Sequence, residues 1–355
     1  AIGYIIGRFL VSYILLPIYF QKGVLSIYEI LGYSFGVSIQ RVASFIFLIT
    51  RIFADGVRFL ATAVIVQAIT GWSLTSAVFL IGGVTLIYSL LGGIRTVIWV
   101  DGFQFILYIS GGLISIFYLL SYINLPFNKI IEILMESEKL KLFQYQGNFV
   151  SDPYLFVSAI IGGVFLSFAS HGADYMMVQR VLVTKDLGSA RKAMIGSGVF
   201  VFLQFALFLF IGSLLFIYFD GAIIEKDREF STFVVNHLPV GIKGILIAGI
   251  LSAAMSTISS SINSLTSSIV NDWFNGIGSI KMSQYIGLFW GLVLMTIALL
   301  FDESDKALVV IGLEIASFTY GGLLGLFILS KLNIKLKSAS LIIGILLSLI
   351  IVYVF

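Results

Sequence analysis

The residues best suited to chemistry in this sequence are hydroxyls. The stretch Ser252-Ala253-Ala254-Met255-Ser256-Thr257-Ile258-Ser259-Ser260-Ser261-Ile262-Asn263-Ser264 sits inside a long apolar run. On a helix Ser256, Ser259 and Ser260 stand at i, i+3 and i+4 and share one face, with Thr257 beside them. A hydroxyl in an apolar helix often bonds back to the carbonyl one turn earlier or ties two helices together. That role accounts for one or two of them but not for so many in so short a span. A hard cation that sheds its water needs several oxygen ligands and no soft ones. Neutral hydroxyls with a nearby carboxylate suit a small monovalent cation held weakly enough to leave.

Seven charged residues fall inside apolar runs: Arg8, Arg51, Asp55, Arg58, Asp101, Asp174 and Glu314. An ionised group at the centre of a bilayer costs at least about 2.5–3.5 kcal/mol, so each needs a partner or a water-filled path. Arg8 and Arg51 can snorkel if they lie near span ends, and Arg8 can equally reach a pocket. Asp55 and Arg58 are three residues apart and share a helix face. They form either a structural ion pair or a polar wall for the charged end of a solute. Asp101 shares a face with Gln104; it is either bridged to a basic loop residue or turned to a cation path. A further polar run, Ser170-His171-Gly172-Ala173-Asp174, interrupts an apolar stretch at a glycine. Irregular backbone at membrane depth survives only where protein or a cavity satisfies it, and broken helices of this kind build transporter substrate sites. Arg8, Asp55, Arg58, His171 and Asp174 are therefore the candidate solute-binding residues.

The elements that must position these residues follow from composition. Of 355 residues 59% are apolar and 11% charged, with a mean hydropathy of +1.08. Soluble domains carry about 25% charge, so a water-soluble fold is excluded. The absence of cysteine excludes disulfides and thiolate metal sites, and two histidines argue against a multi-histidine centre. A net charge of +3 is too small and dispersed for nucleic-acid binding. No nucleophile–base–acid set is evident, so an enzyme is not expected. Ten spans of bilayer length are expected, at about 1–19, 41–69, 72–93, 97–122, 153–181, 193–219, 240–270, 283–301, 306–330 and 339–355. Glycine pairs such as Gly82-Gly83, Gly162-Gly163 and Gly321-Gly322 read as helix-packing positions. The loops on one side, which include Lys22, Arg41, Arg95, Arg180, Lys185 and Lys335, hold eleven basic residues against three acids, Glu29, Asp186 and Asp272. The other side holds seven basic residues against eleven acids. The positive-inside rule places the first set in the cytoplasm and the loops 123–152 and 220–239 outside. The loop 123–152 reads as a surface amphipathic helix. The chain opens at Ala1 already within an apolar run, so a preceding membrane segment is expected.

These stretches resemble the sodium/solute symporter family. The resemblance covers essentially the whole chain. It is carried by Tyr88-Ser89-Leu90-Leu91-Gly92-Gly93 running to Trp99, Asp101 and Gln104, by Asp174 through Gln179-Arg180, and by Ala253-Ala254-Met255-Ser256-Thr257 with Asn263-Ser264. It implies an all-α integral membrane protein with a leucine-transporter-type fold of two inverted five-helix repeats, the first core helix lying before Ala1. Residues 1–122 would then be the remainder of the first repeat, 153–330 the second, and 339–355 an additional helix, together one transporter domain. The resemblance further implies a sodium site at Ala253, Ser256 and Thr257, completed by carbonyls of the first core helix. A second sodium site maps onto Asp101, Ser256, Ser259 and Ser260. Sodium would be the coupling ion, with no other cofactor, and the solute a small polar or charged molecule carried across a bacterial inner or plasma membrane. Two departures stand out: Val100 precedes Asp101, and Ala173 and Tyr175 flank Asp174, where many members have a threonine before each acid and a glutamine after the second. Solute identity therefore does not transfer. A membrane sensor built on a transporter-like domain is the alternative reading.

Overall fold

The computed structural model describes residues 2–141, 143–149, 151–152, 154–222, 228–301, 308–332, 334 and 336–354, and within these the side chains of 93–95, 308–310 and 313 are left aside. Arg95 and Lys335, counted above on the basic side, therefore lie outside the described side chains.

The described chain is helical. Its elements are α1 (Ile2–Lys22), α2 (Tyr28–Phe35), α3 (Val37–Thr70), α4 (Leu74–Ile123), α5 (Phe127–Glu136), α6 (Phe156–Gly172), α7 (Tyr175–Leu182), α8 (Leu187–Tyr218), α9 (Glu229–His237), α10 (Val240–Trp273), α11 (Ile280–Leu300), α12 (Leu308–Lys331) and α13 (Ser338–Val354). Seven runs among the described residues are long and apolar enough to cross a membrane. They are α1, α3, the two parts of α4 (Leu74–Gly92 and Thr96–Ile123), α8, α10 and α11. Helices α6 and α7 pass only as a pair bent by 62°, which makes an eighth. Helices α12 and α13 occupy the last two positions read from the sequence, so the ten runs recur in place although seven or eight meet the criterion of length and apolarity.

Helix α4 runs for 50 residues, which at 1.5 Å per residue is more than twice the thickness of the hydrocarbon core. Packing shows how it fits. Leu86 and Leu90 meet Gly291 and Gly287 of α11, and Gly287 in turn lies against Ile262 of α10. Leu107 and Gly111 meet Gly249 and Leu246 of α10. The first part of α4 thus packs on α11 and the second on α10, and each part is by itself long and apolar enough to cross a membrane.

Small residues set the other close approaches. A side chain at Gly3 or Gly7 would overlap the backbone of Ile160 and Val164 in α6, and Gly163 faces Gly3 from the opposite side. Backbones pack this closely in lipid only where side chains are absent. Ser167 ties the same pair by donating to the Tyr4 carbonyl at 2.8 Å. Of the three glycine pairs noted above, one member each packs tightly (Gly82, Gly163, Gly322) and the other faces open space.

Two elements qualify the loop reading. Helix α5 is amphipathic, and Ile130 and Leu134, one turn apart, are buried with Phe233 of α9 in a small outer core. Helix α2, in the loop after the first span, was not foreseen. Gly36 separates it from α3 with φ of 94°, a conformation that favours glycine. Its Tyr28 is fully buried and donates to the Ala173 carbonyl at the break between α6 and α7.

Candidate functional site

Helix α10 presents its oxygens to α4 and α7. Ser259, Ser260 and Ser261 are buried, while Ala253, Ser256 and Thr257 are half-buried. Part of the hydroxyl set does bond back along its own helix. Ser259 and Ser260 donate to the Ser256 carbonyl at 3.1 and 2.7 Å, and Thr257 to the Ala253 carbonyl at 3.3 Å. Each keeps its lone pairs for a further partner.

Facing these hydroxyls is Asp101, from the second half of α4. Its carboxylate lies beside Ser256 and Ser260. Arg180 of α7 closes a 2.6 Å ion pair on Asp101 Oδ2, and the same nitrogen reaches Ser260. Of the two settings considered for Asp101, the structure contains the bridged one, and it leaves one oxygen over. Asp101 Oδ1 is buried with no hydrogen-bond partner, as are Gln104 Oε1 and Thr85 Oγ1. The Tyr88 hydroxyl lies among Ser259, Gln104 and Thr85 and donates to the Met255 carbonyl at 2.9 Å. Asn263 pins the next turn, donating to Ser89 at 3.1 Å and to the Ser259 carbonyl at 2.9 Å. Orphaned buried oxygens are rare. Several oxygens of this kind around one carboxylate fit a hard cation, and no nitrogen or sulfur ligand competes among the residues named. The described residues hold no group of three or more His, Cys, Asp or Glu side chains that could take a multivalent metal.

A second polar cluster lies deeper, and in it every carboxylate oxygen is engaged, with Arg51 Nε left unpartnered. Arg51 is fully buried, not at a span end, so it does not snorkel. It pairs with Asp174 at 2.9 Å and with Asp55, one turn along α3, at 3.3 Å. Arg58 adds a 2.9 Å pair to the same Asp55 oxygen, and Ser261 donates to the other at 2.5 Å. Tyr320 of α12 accepts from Arg51 at 2.6 Å and donates to Asp174 Oδ2 at 2.8 Å. Asp174 Oδ1 caps α7 by accepting from the Met176 amide at 3.0 Å. The cluster therefore joins α3, α7, α10 and α12 at the bend of the broken span. Asp55, Arg58 and Asp174, read from the sequence as solute-binding, are brought together here around Arg51.

Arg8 and His171 form a third group. Arg8 Nη2 donates to His171 Nε2 at 2.8 Å and Nη1 to Ser197 of α8 at 2.5 Å. The other imidazole nitrogen of His171 lies 2.9 Å from Ser170 Oγ. The Arg8 side chain is 5% exposed and its Nε has no partner. Tyr4 packs edge-on against the His171 ring, with the centroids 6.0 Å apart, and stands within the electrostatic range of both Arg8 and Arg58. The five solute candidates thus divide into a cluster around Arg51 with every carboxylate oxygen engaged and a separate Arg8–His171 pair.

Sequence reasoning missed three partners. Arg180, counted as a cytoplasmic loop charge, reaches into the oxygen cluster instead. Asp272, counted as a loop acid, is 1% exposed and held by neutral donors: Ser26 at 3.0 Å, Gln40 at 3.1 Å and Ser268 at 2.8 Å. Tyr320 carried no local signal. The Arg51–Asp55 spacing of four residues did carry one.

With this geometry in view, comparison with known proteins places the chain. The family model "Sodium:solute symporter family" matches residues 1–330. Sodium-coupled monocarboxylate transporter 2 of Mus musculus is 26% identical, matching 92% of this chain and 55% of its own length. The sodium/sialic acid symporter SiaT of Proteus mirabilis is 26% identical over 98% of this chain and 74% of the symporter. The sodium/sialic acid symporter NanT of Aliivibrio fischeri is 29% identical over 78% of this chain. This chain spans 55% of the length of the Mus musculus transporter and of NanT, little more than half of each. The solved outward-open structure of a Na+-coupled sialic acid symporter superposes with a TM-score of 0.85 at 24% identity, over 98% of this chain and 76% of that one. The likeness shows a shared fold, the leucine-transporter-type arrangement expected above, with its broken span. A model match over nearly the whole length, on a helical membrane fold of this kind, establishes that the chain belongs to the sodium:solute symporter family.

Proposed function

We propose that this chain forms the transport core of a sodium-coupled carrier that moves a small charged organic solute across the membrane by alternating access. The observation that carries the reading is the under-saturated oxygen cluster: Asp101 Oδ1 and Gln104 Oε1 stand buried and unpartnered beside hydroxyls of α10. Ala253, Ser256 and Thr257 take one sodium ion, completed by oxygens from the first core helix. Asp101, Ser256, Ser259 and Ser260 take a second. Both sites draw on Ser256, so the two ions are coupled through one side chain. Sodium drives transport only if it binds one conformation more tightly than the other. The bend between α6 and α7 supplies a point at which two conformations can differ.

For the solute, the spare donors decide. Arg8, with its unpartnered Nε, offers positive charge beside Tyr4 and His171, and the partly exposed Arg58 adds to the field at Tyr4. A guanidinium suits a carboxylate, which it binds through paired hydrogen bonds. The relatives are named for monocarboxylates and sialic acid, which supports an organic acid as the solute. Asp55 and Asp174 act on it indirectly by fixing the helix break. The carrier is a multi-pass protein of the cell membrane.

The test is uptake of a panel of labelled organic acids by full-length protein in proteoliposomes, with sodium or potassium outside. Uptake of at least one acid should depend on sodium, and Ser256→Ala should raise the half-saturating sodium concentration about tenfold, the equivalent of about 1.4 kcal/mol. Uptake by Ser256→Ala at the wild-type rate without sodium would contradict the assignment.

A further inference from the structure

The oxygen cluster on α10 already contains a cation, and that cation is part of the protein. Arg180 closes a 2.6 Å pair on Asp101 Oδ2 and touches Ser260 with the same nitrogen. These are two of the four residues assigned above to the second sodium ion. The pair is not locked away. The Arg180 side chain is 36% exposed and that of Asp101 14%, whereas Arg51 and Asp174 are 0% and 1% exposed. Arg180 makes these contacts from α7, the short half of the broken span, and not from the helices that carry the oxygens.

A bare carboxylate at membrane depth is costly and needs a counter-charge in every state the protein visits. The Arg51 guanidinium is committed to Asp55 and Asp174 and does not meet Asp101. We propose that Arg180 is the resident counter-cation of the second sodium subsite: its guanidinium holds the Asp101–Ser260 corner while sodium is absent and must leave for sodium to enter. The inference rests on the sodium-coupled reading above. Exchanging one monovalent cation for another keeps the charge of the corner constant, so Asp101 is never left unpaired.

The exchange also has a mechanical consequence. Helix α7 is fastened at both ends. Asp174 caps its start and is bound to Arg51, and Arg180 binds its far end to α4 and α10. The first fastening is buried with both Asp174 oxygens engaged, the second is partly exposed and replaceable. Sodium therefore releases the far end of α7 while the near end stays fixed. A cavity of about 440 Å³ beside it, lined by Tyr175, Gln179, Leu182, Asn263 and Ser267, gives that end room to move. Arg180 acts as a positioning residue for the broken span, through its competition with the ion.

The experiment is equilibrium binding of ²²Na⁺ to the purified full-length protein, without solute, with potassium as the replacing cation. Arg180→Gln removes the competitor and should lower the half-saturating sodium concentration about tenfold. Arg180→Lys, which keeps a charge on a tether, should stay near the wild-type value. An unchanged or raised half-saturation in Arg180→Gln overturns the proposal, since a purely structural pair would loosen the site when broken. Should Arg180→Gln fail to fold, the wild-type protein gives a second measurement. Sodium should raise the rate at which phenylglyoxal modifies Arg180, read by mass spectrometry, severalfold over potassium, and equal rates overturn the proposal. Wild-type protein that binds no sodium would defeat the coupled reading and this inference together. Binding that weakens in Ser256→Ala but does not tighten in Arg180→Gln would defeat only the role of Arg180.

Discussion

Two buried carboxylate clusters lie side by side in this molecule, and they are built to opposite specifications. Around Arg51 every carboxylate oxygen of Asp55 and Asp174 has a partner: arginine, tyrosine, serine or a backbone amide. Around Asp101 one oxygen is engaged and the other has none. A buried carboxylate with both oxygens engaged holds one geometry, because any change strands a charge in a medium that cannot solvate it. A network one ligand short gains by accepting one. The contrast separates a fastening from a binding site more sharply than residue type does, since both clusters consist of aspartate, arginine and serine.

The comparison can be broken from either side. The largest effect belongs to the Arg51 cluster. Arg51→Met leaves buried Asp174 without its cation and Asp55 with Arg58 alone, and should cost about 3–5 kcal/mol of stability, seen as loss of monodisperse full-length protein on size-exclusion chromatography and a fall in apparent unfolding temperature in detergent. If Arg51→Met unfolds at the wild-type temperature, the cluster is not the fastening described here. The open cluster should respond the other way. Asp101→Asn keeps the shape of the side chain and leaves behind Arg180, which is partly exposed, so the unfolding temperature should fall less than in Arg51→Met. Sodium-induced thermal stabilisation, by contrast, should shrink in that variant. A large fall in unfolding temperature with an intact sodium response would erase the distinction between the clusters.

The smallest effect tests the far end of the broken span. Asp186, in the loop after α7, caps α8 by accepting from the Ser189 amide at 2.7 Å, and that hydrogen bond holds its carboxyl below the ordinary aspartate range. A lowered pKa contributes stability above the unfolded-state value, near pH 4, and the contribution disappears as the pH falls through the folded value. Asp186→Asn keeps the cap but should flatten this acid dependence, measured as unfolding temperature between pH 5 and pH 3. An unchanged pH profile would show that the cap does not tune the α7–α8 connection.

Much of this arrangement was legible in the residues. The apolar runs placed the spans because a bilayer requires about 20 apolar residues per crossing, and the break at Gly172 was visible because polar residues interrupt one of them. The shared face of Ser256, Ser259 and Ser260 follows from helical periodicity. The Arg51–Asp55–Arg58 ladder also lay within one helix, yet Arg51 read as a snorkelling end residue, because an apolar flank does not reveal its depth. Asp272 read as a loop acid for a related reason. It lies in a π-helical turn that extends α10 beyond the apolar run, and its three donors come from the loop before α2, from α3 and from α10 itself.

What the sequence determined alone is whatever a single helix can express: length, apolarity, the spacing of hydroxyls and charges on one face, and the bias of basic residues to one side. What only the tertiary structure decided is which charges meet. Arg51 finds Asp174, and Arg180 finds Asp101, across long separations along the chain. No periodicity encodes such pairs, because helical spacing fixes neighbours one turn away while the packing of helices in lipid fixes all the others. The difference between a saturated carboxylate and one with an oxygen to spare exists only at that second level.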